Sequence, residues 1–295
     1  MSSREPSPIV SASRRTDIPA LHAEWMANRL DAGYVLCANP YSGRPYRVDL
    51  DAARFFVFWT KHPSRAFAEV LSRLNHRGVG YYMLYTLNDY ETEGLEPGLP
   101  DLRARIDTFS ALSERIGRER MVWRFDPLVL TPALGVADLL QRVEHVGVRL
   151  GPYTHRLIYS FMDVSGYRRV RQNLAAGDVR WLTWRPDQMK QAASGLQDLC
   201  RSWGIQLRAC CEPTGPGKCI DDDLMRRISP CDVALTDFLS SSLCRKDPGQ
   251  RRECGCIRSR DIGRYDTCTM GCLYCYASRV GQADLSRHDP TAEML

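Results

Sequence analysis

No apolar run in these 295 residues approaches the roughly 20 residues that cross a bilayer, so a helical membrane protein is excluded. Nothing resembles a secretory signal: Met1 to Pro8 is short, polar and contains proline and serine, a loose leader at most. A large charge of one sign is also missing. Forty basic against thirty-five acidic residues leave +5, which does not announce nucleic-acid binding. There is no G-x-x-x-x-G-K-[ST] phosphate loop; Gly215-Pro216-Gly217-Lys218 lacks that spacing and reads as a turn. The six histidines are scattered without an H-x-x-x-H pair, and His62, before Pro63, reads as structural. No repeat, low-complexity tract or linker divides the chain. A cytoplasmic protein is the default expectation.

Cysteine, by contrast, is abundant: twelve residues, more than packing requires. Cys268, Cys272 and Cys275 form a C-x3-C-x2-C run with Tyr274 before the last of them. Three thiolates in so short a loop can hold three irons of a [4Fe–4S] cluster, leaving the fourth iron open to a small molecule, whereas electron-transfer clusters usually have four protein thiolates. The rival is zinc, which takes four ligands and often uses C-x2-C pairs; Cys272 and Cys275 with two distant cysteines satisfy it. The extra cysteine and the all-thiolate donor set point to iron–sulfur. A disulfide framework is disfavoured where thiols stay reduced.

A second group precedes this run. Cys254-Gly255-Cys256 is a tight pair, and Cys219 follows the glycine turn. Cys211, Cys219, Cys254 and Cys256 are candidate ligands of a second metal site, either another iron–sulfur cluster or zinc; the alternative is a set of small buried hydrophobes. Cys210, Cys231 and Cys244 lie in the same third of the chain without an assigned role. Cys37 and Cys200 sit among apolar residues and read as core.

Apolar β-rich runs alternate with helical patterns. The strands expected are Ile9–Ser13, Tyr34–Ala38, Phe55–Trp59, Gly80–Thr86, Met121–Phe125, Arg156–Ser160, Gln206–Ala209 and Val233–Leu235. Helices are expected at Ile18–Ala32, Pro63–Arg77, Asp101–Gly117, Pro132–Leu150 and Asp187–Gly204. This alternation predicts an α/β fold, a (β/α)8 TIM-barrel-like body, complete or irregular, with a C-terminal cysteine-rich iron–sulfur extension. Residues 1–209 form the barrel body. Residues 210–295 supply the last barrel elements and the cluster-binding extension of one integrated domain.

Function in such a barrel gathers where strands end, and the expected ends are polar. Arg14, Arg15 and Lys61 suit a carboxylate or phosphate, as does Arg124 through its planar fork. Asp126, Asp163 and Glu212 suit ribose hydroxyls, an amine or ion pairs with the arginines. Asp17 fits a helix cap as well as it fits a site. Arg124, Asp126 and Glu212 are the candidate catalytic residues; Arg14, Arg15, Asp17, Lys61, Asp163 and Tyr274 are the candidate cofactor-binding ones.

The C-x3-C-x2-C run with its aromatic neighbour resembles the radical S-adenosylmethionine (SAM) superfamily. That resemblance implies SAM chelated to the open iron, its reductive cleavage to a 5′-deoxyadenosyl radical, and an electron donor such as flavodoxin or ferredoxin. Members usually carry the run near the N-terminus, after the first barrel strand. Here it lies near the other end, so either the topology is permuted or the cluster sits on a tail folded over the barrel. Ser11–Pro19, Phe58–Lys61, Trp123–Pro127, Cys219–Asp221 and Asp261–Tyr265 resemble the bacterial family DUF1848, which ends in a radical-SAM-like cysteine cluster. The substrate, a small molecule or otherwise, stays open. Two alternatives remain: a barrel hydrolase or lyase with structural metals, and a metal-braced nucleic-acid or partner-binding protein using Arg251, Arg252, Arg258, Arg260 and Arg264.

Overall fold

A computed structural model describes residues 7–40, 42–212 and 217–295, Arg287 by its backbone alone. Most of the leader, and Gly215-Pro216 of the glycine turn, lie outside the described residues. In chain order the elements are β1 (Ile9–Ala12), α1 (Ile18–Leu21), α2 (Ala23–Ala32), β2 (Tyr34–Ala38), β3 (Pro45–Asp49), β4 (Phe55–Thr60), α3 (Phe67–His76), β5 (Gly80–Thr86) and α4 (Leu102–Ile116). They continue with β6 (Met121–Leu128), α5 (Val136–Leu150), β7 (Arg156–Phe161), α6 (Arg168–Ala176), α7 (Pro186–Ser202), β8 (Gln206–Ala209), α8 (Asp222–Ile228), α9 (Val233–Ser240) and β9 (Arg260–Asp261).

Seven strands form one sheet in the order β8-β7-β6-β5-β4-β1-β9, every neighbouring pair parallel. The α/β class is therefore as the alternation implied, but the closed eight-stranded barrel is not formed among the described residues: β8 and β9 are free edges. Tyr34–Ala38, expected in the barrel, pairs antiparallel with β3 in a separate hairpin. Val233–Leu235, expected as a strand, opens α9, because the Asp232 side chain accepts the Leu235 N–H at 3.0 Å and caps a helix there. The single helix expected over Ile18–Ala32 breaks at His22.

The two faces of the sheet explain why it stays open. Alternate strand residues point to opposite sides. Phe56 and Phe58 of β4 join a core with Phe67 and Val70 of α3. Phe55, Val57 and Trp59 join a second core with Leu224 and Met225 of α8 and Leu235 and Leu239 of α9. Each such side chain contributes about 1.5–3 kcal/mol when fully buried. In a closed small barrel the inward side chains fill the interior by themselves. Here two helices occupy that face.

The last residues return across the molecule. Trp25 Nε1 donates to the Ala292 carbonyl at 2.9 Å, and the Leu36 N–H donates to Glu293 at 2.8 Å. No described helix is long and apolar enough to cross a membrane.

Candidate functional site

The C-x3-C-x2-C loop follows a strand directly. β9 pairs parallel with β1, through Val10–Arg260 and Ser11–Asp261, and the chain leaves β9 into Cys268. Gly271, at φ +67, provides the left-handed turn between Cys268 and Cys272. Asn173 of α6 then clamps the loop: its Nδ2 donates to the Cys275 and Ser278 carbonyls, each at 2.9 Å, and its Oδ1 accepts the Val280 N–H at 3.2 Å. Arg169 adds an ion pair to Asp266 at 2.9 Å.

A cavity of about 750 Å³ opens against this loop. Cys268, Cys272, Tyr274 and Cys275 line it, together with Arg14, Arg15, Asp17, Lys61, Arg124, Asp126 and Asp163. Cys211, Cys219, Cys254 and Cys256 line it too. The structure thus brings together the residues singled out from sequence, with one departure. Glu212 does not line the cavity; its carboxylate accepts the Phe161 N–H at 3.1 Å and ties the end of β7 to the segment after β8.

Two polar networks position the wall. Asp261, not singled out individually from sequence, accepts from Ser13 Oγ at 2.9 Å, Ser11 Oγ at 3.2 Å, and the N–H groups of Arg14 and Gly263, each at 3.0 Å. Lys61 Nζ lies 2.6 Å from Glu96 and donates to the Tyr274 hydroxyl at 2.8 Å, and Asn88 donates to the same hydroxyl at 2.8 Å. Tyr274 in turn donates to Glu96, which also pairs with Arg105 at 3.1 Å. Burial opposes ionisation of Glu96, but Lys61 and Arg105 outweigh it and hold its carboxyl below the usual range. Tyr274 is therefore fixed beside the cysteines by a buried ion network. Glu96 was missed because it sits in a loop with no motif around it.

Asp17 caps α1 by accepting from Ala20 at 3.0 Å, and it also accepts the Lys61 N–H at 2.7 Å. Burial raises its carboxyl to about 6. Arg124 pairs with Asp126, which also accepts from Ser160. Arg14 lies over the Trp59 ring at 5.2 Å. Arg14 Nη2 and Arg124 Nε are buried donors without a protein partner, and both residues line the cavity. Of the arginines near the cysteines, Arg251, Arg258 and Arg260 line the cavity, while Arg251, Arg252 and Arg264 are exposed to solvent.

The donor chemistry suits iron–sulfur ligation. Cys275 Sγ accepts the N–H groups of Ala277 at 3.3 Å and Ser278 at 3.2 Å, bonds that favour a thiolate. Burial pushes the Cys268 thiol up to about 12 and Cys272 well above the ordinary range, so a metal entering here displaces protons. Among the described residues, the one trio of ligand-type side chains drawn within 4.8 Å is Asp221–Asp223. Those aspartates have local roles: Asp221 caps α8 and pairs with Arg156, and Asp222 pairs with Lys218. Neither cysteine group is that tight.

In the second group, Cys256 Sγ accepts the N–H groups of Cys219 at 3.2 Å and Ile220 at 3.3 Å. Hydrogen bonds from Cys210 and Cys254, with help from Arg251, hold Cys211 down to about 3. Bonds from Cys219 and Cys254, with Arg14 nearby, hold Cys256 low as well. Cys37 and Cys200 are buried core residues, as expected.

The molecule is thus a parallel α/β sheet with a cysteine loop after its last strand and a cavity lined by cysteines and charged side chains at the strand ends. The chain belongs to the family DUF1848, a domain of unknown function, whose sequence profile matches residues 9–277. No curated protein sequence matches it. Among solved structures it is similar to a xylose isomerase-like TIM barrel/4-hydroxyphenylpyruvate dioxygenase fusion protein, with TM-score 0.31 and 11% identity, covering 68% of this chain and 26% of that one.

Proposed function

We propose that the chain is a [4Fe–4S] enzyme of radical SAM-like type, with Cys268, Cys272 and Cys275 holding three irons and SAM meeting the fourth inside the cavity. One observation carries the reading: the three cysteines of the loop and a set of buried cationic donors line the same cavity of about 750 Å³. When reduced, such a cluster supplies the electron that breaks a carbon–sulfur bond of SAM.

The chain's own residues prepare that site. Lys61, Asn88 and Glu96 hold the Tyr274 hydroxyl and with it the cysteine loop. Arg14 Nη2 and Arg124 Nε are the donors left for a carboxylate. Asp126 and Asp163 face the same space and suit ribose hydroxyls or an amine. The walls leave room for a small-molecule substrate beside SAM. An electron donor of the flavodoxin or ferredoxin kind is required, and a reducing cytoplasm fits the free thiols.

The test is anaerobic purification and EPR of the reduced protein with and without SAM, followed by assay of 5′-deoxyadenosine. A [4Fe–4S]+ signal that changes with SAM, and is lost in Cys272→Ala, supports the reading. A signal indifferent to SAM, or zinc in place of iron at this loop, sinks it.

A further inference from the structure

The second cysteine group is a ring of five. Cys210 Sγ lies 3.8 Å from Cys219 Sγ. Thiol contacts then run from Cys219 to Cys256, Cys254 and Cys211, and back to Cys210. The ring sits where the sheet fails to close: Cys210 and Cys211 follow β8 directly, and Cys254 and Cys256 lie just ahead of β9.

Cysteines buried merely as small hydrophobes need no polar partners. These have them. Two backbone N–H groups donate to Cys256 Sγ, the Arg251 guanidinium contacts Cys211, and the Arg14 side chain lies close to Cys256 and Cys219. The surroundings therefore suit a compact anion with several acceptor sulfurs. The number of thiols and their donors bear on the metal class. One zinc takes four ligands, the ring offers five, and no three of its sulfurs come within 4.8 Å of one another. The N–H and guanidinium donors around the ring suit the sulfurs of a cluster, which accept such hydrogen bonds.

We infer that this ring binds a second polynuclear iron–sulfur cluster through four of its five thiols, facing the first site across the cavity and joining β8 to β9. The inference does not depend on whether SAM binds at the first site.

The experiment uses the full chain, reconstituted anaerobically with iron and sulfide, with iron, acid-labile sulfide and zinc counted per chain. The Cys268→Ala/Cys272→Ala/Cys275→Ala variant should retain about four irons and four sulfides, against about eight of each in the parent protein. The Cys254→Ala/Cys256→Ala variant should also retain about four. A triple variant with no metal, or with zinc and no sulfide, overturns the inference. A double variant without iron beside a loaded triple variant would instead remove the first site and leave this one standing. Should a variant misfold, alkylation of the parent protein decides. Four ring cysteines should be shielded from iodoacetamide until the iron is chelated, and equal labelling before and after chelation overturns the inference.

Discussion

The Arg14 N–H donates to the Asp261 carboxylate at 3.0 Å, joining the end of the first strand to the strand that launches the cysteine loop. Ser13 and Gly263 complete the same hub. The two residues are 247 positions apart, yet they fix where the cluster loop begins relative to the cavity.

Asp261→Asn tests that hub. An amide keeps the shape but turns N–H donors toward one serine hydroxyl, which can accept, and one backbone N–H, of Arg14 or Gly263, which cannot and loses its acceptor. We expect a loss of about 2–3 kcal/mol in stability, the range for a hydrogen bond to a charged group plus an unsatisfied partner. Iron content should fall as well. Urea unfolding and iron analysis check both; full stability with full iron would remove Asp261 from any positioning role.

Asn173→Ala should loosen the cysteine loop without touching a metal ligand. It strands the Cys275 and Ser278 carbonyls and the Val280 N–H, each costing roughly 1–3 kcal/mol where buried. The expected result is faster loss of iron to a chelator with little change in far-UV circular dichroism. An unchanged rate of iron loss would mean that α6 does not hold the loop.

His155 predicts a pH dependence away from the site. Burial, with Arg156 beside it, lowers its pKa to about 4, and Arg118 offers a carbonyl to its ring at 3.4 Å. As pH falls below about 6.5 the unfolded chain takes up a proton that the folded chain refuses until about 4. Stability is therefore full above that window and declines through it, by on the order of 3 kcal/mol from this residue. His155→Asn should flatten that part of the unfolding-midpoint profile between pH 7 and 4. A variant profile parallel to that of the parent protein would show that the histidine is not buried neutral.

The sequence made the sheet strands legible because β4 and β5 are buried along their whole length, and long apolar runs are what parallel strands require. The hairpin partner Pro45–Asp49 escaped because Pro45, Arg47 and Asp49 are exposed. Arg168–Ala176 escaped because a helix carrying three arginines has only Val170, Asn173 and Leu174 buried. At the site, the cysteines were legible by spacing alone. Asp261, Glu96 and Asn88 were not assigned roles, since a buried carboxylate or amide takes its meaning from partners that only the fold supplies. Glu212 bonds the backbone of the neighbouring strand, a contact that its place in the sequence does not show.

The open edge between β8 and β9 has a consequence for how the molecule loosens. Burial falls from the wholly covered β4 and β5 to the partly exposed β8 and β9. Local openings draw on the least buried elements first, so amide exchange should be slowest at the middle of the sheet and fastest at its two margins. Those margins adjoin the cysteines, so access of oxygen or solute to the cavity is governed by the part of the sheet that breathes most.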